Sequence, residues 1–372
     1  MKLTFDRLVI TLTFIAIFAM AVRVSTDTDT WWHLRAGQWI SEHHAVPMAD
    51  PFSHTRANAA WQYPGWLAEV VMAALFLNFG FAGLNLFTAV FVTLAFVFVY
   101  LSCEGPPLLR AFVLVLAGAS SAIFWSARPQ IASFALASAF AYILWLYRRR
   151  GVNRLWLLVP LMVLWANVHG GFAIGFILIG LTAMGQLVSF IWNRFTAEHA
   201  DAQRAEMVKG LFHYSADSAL FAVKNLLWLI GIGLACAAAV VLNPSGPVML
   251  LYPFKTVSIG VLRDFIQEWQ SPNFHALRAQ LFLWLLFATL VAIGLSGRRA
   301  DVTDLLLACG IAYLGFLAWR NVPLLSIVAP PVLTRHAAEG WADVRARLPR
   351  WAQSPSALPE GRAVTLNWIL LG

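Results

Sequence analysis

AEVVMAALFLNFGFAGLNLFTAVFVTLAFVFVYL, residues 68–101, is the apolar run on which the topology of this chain depends. Its roughly 34 residues exceed the ~20 that a helix needs to cross a ~30 Å hydrocarbon layer. Two arrangements are open. The run forms two short helices broken between Asn78 and Gly83, or it forms one crossing helix plus a partly inserted one.

The composition indicates an integral membrane protein. The chain has 372 residues, of which 60% are hydrophobic and 12% charged, whereas soluble domains carry about 25% charged residues. Because apolar runs recur along the chain, we predict an all-α, polytopic transmembrane helical bundle of about ten spans. The predicted spans are 8–24, 68–101, 108–126, 130–147, 155–169, 171–192, 225–242, 279–296, 303–319 and 322–334.

Two features near the start and along the spans have simple interpretations. The first run follows a short basic start and contains Ala19-Met20-Ala21, so a cleaved signal peptide is the alternative to a first span. The three cysteines lie far apart in or beside apolar runs, where thiols act as small hydrophobes. We therefore expect neither a disulfide nor cysteine chemistry.

The basic residues predict the orientation. If residues 68–101 cross once, the basic connections fall on one side, which the positive-inside rule makes cytoplasmic. Those connections carry Lys2, Arg7, Arg110, residues 148–154, residues 194–224 and Arg298-Arg299. The net charge of +8 is thus explained by orientation, and no nucleic acid partner is expected.

The same assignment sends the chemistry-bearing stretches to the extracytoplasmic side. It divides the chain into a transmembrane module, 1–334, and a short polar tail, 335–372. Within the module, 25–67 is a large first extracytoplasmic loop carrying surface helices, 193–224 is a cytoplasmic loop, and 245–278 is a second extracytoplasmic loop. The expected location is the bacterial cytoplasmic (inner) membrane, with several crossings and the active face outside.

The first outer loop opens with DTDTWWHLRAGQWISEHH, residues 27–44, which suits an amphipathic helix at the membrane surface. Asp29 or Thr30 is expected to cap it, and Asp27 and Asp29 then lie at its positive end. The simple interpretation is capping plus an interfacial aromatic belt. The alternative is a carboxylate that accepts a proton from a nucleophile or holds a divalent cation. His33 shares the helical face of Asp29, which permits a common site.

Other polar residues at the same side are candidates for substrate binding, each beside a structural alternative. Arginine suits phosphate through its planar fork but also snorkels at interfaces. Ionisable groups at membrane depth tend to face cavities, but they also form hydrogen-bonded turns. Lys255 and Arg263 could hold phosphate or anionic headgroups equally. The candidates are His33, Glu69, Arg128, Asn167, His169, Lys255, Arg263, Glu268 and Arg320.

Several common motifs are missing. The chain has no Walker A sequence, no G-x-G-x-x-G after a strand, no H-E-x-x-H and no metal-ligand cysteine pair. Nucleotide-driven transport, dinucleotide chemistry and zincin proteolysis thus lack their usual residues. The energy for a reaction has to come from the substrate itself.

Seven short motifs in order resemble a known group of proteins. They are DTDTWWHL, ADPFSHT, ARPQ, LWANVHGG, LNPSG, EWQSP and RNVPL, spread over residues 1 to about 335. This set resembles the polytopic glycosyltransferases of the GT-C superfamily, and more narrowly a family of bacterial membrane proteins similar to protein mannosyltransferases. The resemblance implies a GT-C-like fold and an enzyme.

The resemblance also implies a reaction. Such enzymes transfer a sugar from a polyprenyl-phosphate or polyprenyl-pyrophosphate donor at the extracytoplasmic face and invert the anomeric centre. An acidic residue of the first outer loop is the general base, a role that falls on Asp29 or Asp27, with Asp29 preferred. Arg128, Lys255, Arg263 and Arg320 would stabilise the departing phosphate. No cofactor is implied with certainty, and a divalent cation (Mg or Mn) at Asp27 and Asp29 is the candidate.

The expected partners are the donor lipid, the bilayer and an acceptor that is a protein, a lipid or a glycan. Relatives continue into more spans and often an outer soluble domain, whereas the tail 335–372 is too short for one. We therefore expect either a truncated sequence or a partner that supplies recognition. The alternative functions are an envelope polysaccharide ligase or polymerase, and a non-catalytic transporter or lipid-binding accessory protein.

Overall fold

The computed structural model describes residues 4–22, 27–204 and 214–347. Its α-helices are α1 (Phe5–Ala21), α2 (Asp29–His43), α3 (Trp66–Ser102), α4 (Pro107–Ser121), α5 (Gln130–Trp145), α6 (Leu158–Val168), α7 (Ala173–Arg204), α8 (Tyr214–Val240), α9 (Tyr252–Ser258), α10 (Gly260–Phe265), α11 (Leu277–Leu295), α12 (Val302–Leu317) and α13 (Val322–Arg347). Within the described ranges, extended backbone pairs only at a single antiparallel bridge, Ala49 with Ala60. The predicted all-α class is confirmed for these ranges.

Six helical stretches are long and apolar enough to cross a membrane. They are Trp66–Ser102, Pro107–Phe124, Gln130–Arg150, Gly170–Trp192, Val223–Val240 and Leu277–Leu295, accompanied by the shorter apolar helices Leu155–Val168 and Val302–Leu317. These lengths and compositions indicate a multi-pass membrane protein, as predicted. The helices α1 and α13 coincide with the first and last predicted spans, and the number of about ten crossings stays a prediction.

The long helix α3 is broken at Gly80. This residue has φ 57° and ψ −143°, a conformation that glycine adopts without a Cβ penalty. The chain then turns back on itself. As a result Gly83 packs on Leu75, and a Cβ on Gly83 would lie 2.4 Å from the carbonyl oxygen of Leu75. In a straight helix, residues eight apart are separated by about 12 Å. The first arm, residues 66–79, is about 21 Å long and too short to cross, whereas the second arm, residues 81–102, is about 33 Å long. This geometry favours the arrangement of one crossing helix plus a shorter arm.

Helix α2 packs closely on the first arm of α3. Gly37 makes this possible, because a Cβ there would lie 2.0 Å from the carbonyl oxygen of Glu69. The prediction that Asp29 or Thr30 caps α2 is wrong. Asp27 stabilises the start of the helix instead, since its Oδ1 accepts the backbone N–H of Asp29 at 3.1 Å. The Thr30 hydroxyl donates to the carbonyl of Ala127 at 3.2 Å and ties α2 to the segment before α5.

Charged side chains gather at two opposite ends of the bundle. At one end, which we call the site end, lie Asp27, Asp29, Arg128, Glu268 and Arg320. At the opposite end, the buried carboxylate of Asp304 contacts Arg148, Arg149 and Arg335. This separation agrees with the predicted grouping of basic loops on one side and polar loops on the other.

The predicted loop boundaries are partly replaced by helix. In the predicted loop 193–224, α7 continues to Arg204 and α8 begins at Tyr214, while residues 205–213 lie outside the described residues. The predicted tail, 335–372, begins as helix, since α13 reaches Arg347. Residues 348–372 also lie outside the described part of the chain.

Candidate functional site

The guanidinium of Arg128 is the centre of the site end. Arg128 lies in the short segment between α4 and α5, just before Pro129. Its Nη2 lies 2.8 Å from Asp29 Oδ2, and its Nη1 lies 3.2 Å from Asp27 Oδ2 and 3.4 Å from Glu268 Oε2. Desolvation alone would lower the pKa of Arg128, but the carboxylates of Glu268, Asp27 and Asp29 raise it above its ordinary value. This cation therefore joins the two loops, 25–67 and 245–278, that the sequence predicts to be extracytoplasmic.

The two aspartates predicted as alternative bases differ in their surroundings. Asp27 uses Oδ1 to accept the Asp29 backbone N–H and Oδ2 to contact Arg128, and its side chain is 20% exposed. Asp29 contacts Arg128 through Oδ2, and its side chain is 42% exposed. Asp27 is thus committed to holding the helix start, whereas Asp29 is open to a substrate. Asp29 is the more accessible of the two carboxylates, and its role as a general base stays a prediction.

Glu268 links this group to a second arginine. Its Oε1 lies 3.5 Å from Arg320 Nη1, while its Oε2 faces Arg128. The Arg320 guanidinium also lies over the ring of Trp269, 4.3 Å from the ring centroid. Desolvation lowers the pKa of Arg320 although Glu268 opposes this shift, so burial is not fully compensated. An anion placed beside Arg320 would relieve that cost.

A cleft of about 340 Å³ opens beside Arg320 between α5, α7, α9 and the start of α13. Its size falls in the range of ordinary ligand pockets. Its polar lining includes Ser133, His169, Tyr252 and Arg320. Its apolar lining includes Phe134, Ile174, Ile177, Leu314 and Leu324, which belong to α5, α7, α12 and α13. The cleft therefore suits a ligand with a polar head and an apolar tail.

The stretch WANVHGG, residues 165–171, builds the polar wall. Its two glycines are required by their neighbours: a Cβ on Gly170 would lie 2.4 Å from Tyr252 Cε1, and one on Gly171 would lie 2.7 Å from Ser133 Oγ. His169 therefore sits between α6 and α7 with its ring against Ser133, at 2.8 Å from Nδ1 to Oγ. Desolvation, with the charges of Arg320 and Arg128, lowers the pKa of His169 to about 3. The ring is neutral at ordinary pH.

His33 of α2 and Glu69 of α3 form a buried pair between the two helices and do not line the cleft. His33 Nδ1 lies 2.8 Å from Glu69 Oε1 and 3.3 Å from the hydroxyl of Tyr63. Both members are buried, with relative exposures of 3% for His33 and 1% for Glu69. Desolvation, followed by the charges of Arg128 and His169, lowers the pKa of His33 to about 2. The pair fixes α2 on α3 and so places Asp29.

Three further candidates lie away from the carboxylates. Asn167 accepts from Trp66 Nε1 at 2.8 Å and lies 3.4 Å from Asn243 Nδ2, so it joins three helix ends. Lys255 is exposed, and its Nζ donates to Gln62 Oε1 at 3.3 Å. Arg263 belongs to α10, but its side chain lies outside the described part of the structure. None of these placements tests the predicted contact with a substrate.

The predicted divalent cation would use Asp27 and Asp29 as ligands. Both carboxylates contact the Arg128 guanidinium, whose charge repels a second cation at this spacing. Among the described residues there is no group of three or more His, Cys, Asp or Glu side chains arranged to hold a metal ion. The carboxylates as arranged fit the guanidinium rather than a metal ion, so no step is derived through a cation. The cation stays a prediction.

Comparisons with known proteins do not identify a family for this chain. Neither protein-family models nor curated protein sequences give a match for this chain. The resemblance to the GT-C superfamily therefore stays a prediction that rests on the seven motifs.

Three site residues were not predicted from the sequence. Tyr63 contacts His33, Tyr252 lines the cleft, and Ser133 bonds His169. Tyr63 lies in a loop, and Tyr252 begins a helix of seven residues, so no periodic pattern marks either. Ser133 lies four residues after Pro129, one turn into an apolar helix, where a hydroxyl commonly bonds the preceding turn. The HGG triplet was the available signal for close packing against this wall.

Proposed function

We propose that this protein is a membrane glycosyltransferase that moves a sugar from a polyprenyl-phosphate-linked donor to an acceptor at the extracytoplasmic face. The observation that carries the proposal is the cleft of about 340 Å³, whose wall joins apolar helix surfaces to Arg320 and His169. A lipid-linked donor has the same division, with an apolar chain, a phosphate and a sugar. The group of Asp29, Arg128 and Glu268 lies next to the phosphate end of the cleft through Arg320.

The chemical step assigns a role to each group. Asp29 accepts the proton of an acceptor hydroxyl while the acceptor oxygen forms a bond to the anomeric carbon. The bond between that carbon and the phosphate oxygen breaks, and its electron pair leaves with polyprenyl phosphate. Arg320 stabilises the charge that grows on the departing phosphate, where a fixed cation helps most. Attack opposite to the leaving group inverts the anomeric centre.

Arg128 has a supporting role in this scheme. Because it contacts both Asp29 and Glu268, it holds the base at a fixed distance from the residue that pairs with Arg320. The contact also leaves the second oxygen of Asp29, Oδ1, for the acceptor. Orientation of this kind accounts for a large share of catalysis in reactions between two bound molecules.

The test is release of polyprenyl phosphate from radiolabelled polyprenyl-phosphate sugars by the protein in lipid nanodiscs, with membrane extract as acceptor. We expect Asp29→Asn to lower the release rate by about 10²–10⁴ without loss of donor binding, because a general base contributes that much. The matched control is Asp264→Asn, an exposed aspartate of the second outer loop, which should release at the wild-type rate.

Three outcomes contradict the proposal in different ways. If the protein neither binds the donor nor releases polyprenyl phosphate, the transferase is excluded. The same result excludes an accessory protein that binds this donor lipid. Release of polyprenyl pyrophosphate from pyrophosphate donors alone would favour the ligase or polymerase. Uptake of labelled sugar into liposomes, with no release of carrier lipid, would favour the transporter.

A further inference from the structure

The hydrogen bonds around His169 determine which of its nitrogens carries the proton. The backbone N–H of Gly171 lies 3.0 Å from His169 Nδ1 and can only donate. Nδ1 is therefore an acceptor and carries no proton. A neutral imidazole then has its proton on Nε2.

Ser133 strengthens the same assignment. The indole Nε1–H of Trp165 can only donate, and it does so to Ser133 Oγ at 2.7 Å. Ser133 Oγ is thus already an acceptor, and its own proton is free to point at His169 Nδ1, 2.8 Å away. The order of donation is Trp165 to Ser133 to His169, and Trp165 and Ser133 are both buried.

His169 Nε2 is not one of the buried polar atoms that lack a partner in the described part of the chain, as expected if this side of the ring opens towards the cleft. His169 lines the cleft together with Arg320, and among the described residues none bonds its Nε2. Arg320 also has the largest electrostatic effect of any charged side chain on this ring. A neutral N–H donor and a guanidinium therefore face the same volume, and both require an acceptor, of which an anionic oxygen is the strongest.

We propose that Ser133 and the backbone N–H of Gly171 fix the tautomer of His169, so that His169 donates from Nε2 to a phosphate oxygen of a ligand that Arg320 also binds. Ser133 is a positioning residue in this scheme, and His169 is the residue that touches the ligand. The ligand class is a phosphate ester with an apolar chain along Ile174, Ile177 and Leu324. Only the assignment of that ester as a sugar donor or its product rests on the proposed function.

The tautomer is tested by nitrogen-15 NMR of the histidine rings in nanodiscs. The His169 signal is assigned by its loss in His169→Gln. We expect an unprotonated Nδ1 and a protonated Nε2 in the wild type, and a mixture of tautomers in Ser133→Ala. The matched control, Ser138→Ala, removes another buried hydroxyl of α5, one that bonds only the carbonyl of Phe134, and should leave the His169 signal unchanged. A protonated Nδ1 in the wild type would overturn the proposal, and this result does not depend on the folding of any variant.

The ligand is tested by calorimetric binding of farnesyl phosphate, inorganic phosphate and farnesol to the protein in neutral nanodiscs. Glutamine places an amide N–H near the position of histidine Nε2, whereas asparagine places it near Nδ1. We therefore expect His169→Gln to bind farnesyl phosphate within about threefold of the wild type, and His169→Asn to bind it about tenfold or more weakly, the loss of one charge-assisted hydrogen bond. Farnesol binding should be equal in all three proteins, and inorganic phosphate should bind more weakly than farnesyl phosphate.

The outcomes separate this inference from the proposed function. If farnesyl phosphate binding depends on His169 but no sugar donor releases polyprenyl phosphate, the phosphate site is supported. The proposed transferase activity is then excluded. If His169→Asn changes neither sugar transfer nor farnesyl phosphate binding, the proposed contact between His169 and phosphate is excluded. The proposed transferase activity is then retained. Inorganic phosphate that binds as tightly as farnesyl phosphate would show that the site takes free phosphate and that the apolar wall contributes nothing.

Discussion

The Arg128 guanidinium lies 2.8 Å from Asp29, and this is the shortest of its three contacts with carboxylates. The two residues are 99 positions apart, so the contact holds the start of α2 against the segment before α5. Since Arg128 uses Nη1 for Asp27 and Glu268 and Nη2 for Asp29, its forked shape matters as much as its charge.

Replacement of Arg128 by lysine should therefore damage the site while keeping the charge. A single ammonium group cannot reach all three carboxylates at these distances, so Asp29 would lose its fixed position. We expect Arg128→Lys to lower kcat/KM for polyprenyl phosphate release by about 10²-fold, the effect of a small misplacement of a reacting group. In the control, Arg35→Lys, the exposed pair with Glu42 is changed in the same way and the rate should not fall. Equal rates in the two variants would remove the positioning role of Arg128.

Gly37 should be intolerant of a single added methyl group. A Cβ there would lie 2.0 Å from the carbonyl oxygen of Glu69, so Gly37→Ala has to push α2 away from α3 at a cost of about 1–3 kcal/mol. At Gly180, another helical glycine, a Cβ meets nothing within 4 Å, and Gly180→Ala should stabilise α7 by up to ~1 kcal/mol. Thermal unfolding in detergent should thus shift in opposite directions. A shift in the same direction for both would contradict the close contact.

Asp304 should be important for stability but not for the site. Its buried carboxylate contacts Arg148 at 2.8 Å and Arg335 at 3.4 Å, and it also contacts Arg149. Asp304→Asn removes one of the two carboxylates that contact Arg148 and Arg149, since Asp301 contacts both as well. Loss of one partner from a buried ion pair costs about 3–5 kcal/mol, and the remaining contacts with Asp301 should keep the loss below that range. We expect a clear fall in the thermal midpoint, with farnesyl phosphate binding retained below it. The exposed Arg35–Glu42 pair serves as control, and Glu42→Gln should leave the midpoint unchanged.

His169 makes the folded protein sensitive to acid. Its folded pKa of about 3 lies below the ordinary value of 6.5, so below pH 6.5 the unfolded state binds a proton that the folded state does not. The stabilisation is complete above pH 6.5 and is lost as the pH falls from 6.5 towards 3. At pH 5.5 the loss is on the order of 1 kcal/mol for this one group.

The measurement is the thermal midpoint of wild type and His169→Gln at pH 7.5 and pH 5.5. The variant should lose less stability between the two values, because glutamine does not titrate. His33, whose pKa is also lowered, acts in the same direction and is present in both proteins. Identical pH dependence in the two proteins would mean that His169 is not held neutral.

Helices were predictable because apolar runs are a local property of the sequence. One of the two open arrangements for residues 68–101 had a break between Asn78 and Gly83. The structure breaks at Gly80, where glycine takes this backbone conformation without strain. The choice between the two arrangements depends on a packing contact between the two arms of α3, that of Gly83 with Leu75 across the turn. Composition alone does not contain that fact.

Several residues named from the sequence come together in the structure, but the sequence did not predict how they pair. Asp29, Arg128 and Glu268 were named for their membrane face, and they do meet. The pairing of His33 with Glu69 was missed, because burial rather than sequence spacing brings the two together. The hydrogen bonds from Trp165 to Ser133 and from Ser133 to His169 were also not predicted. A serine in an apolar helix usually bonds the backbone of its own helix.

The two glycines of HGG have a consequence for how this protein can diverge. Position 170 has no space for a side chain while the ring of Tyr252 is present. A Cβ at position 171 would lie 2.7 Å from Ser133 Oγ and 2.9 Å from His169 Nδ1. Each pair is expected to change together during evolution, so that a lineage losing Gly170 also loses the tyrosine at 252. We therefore expect correlated substitutions between positions 170 and 252, and between position 171 and positions 133 and 169, among related sequences that keep this cleft.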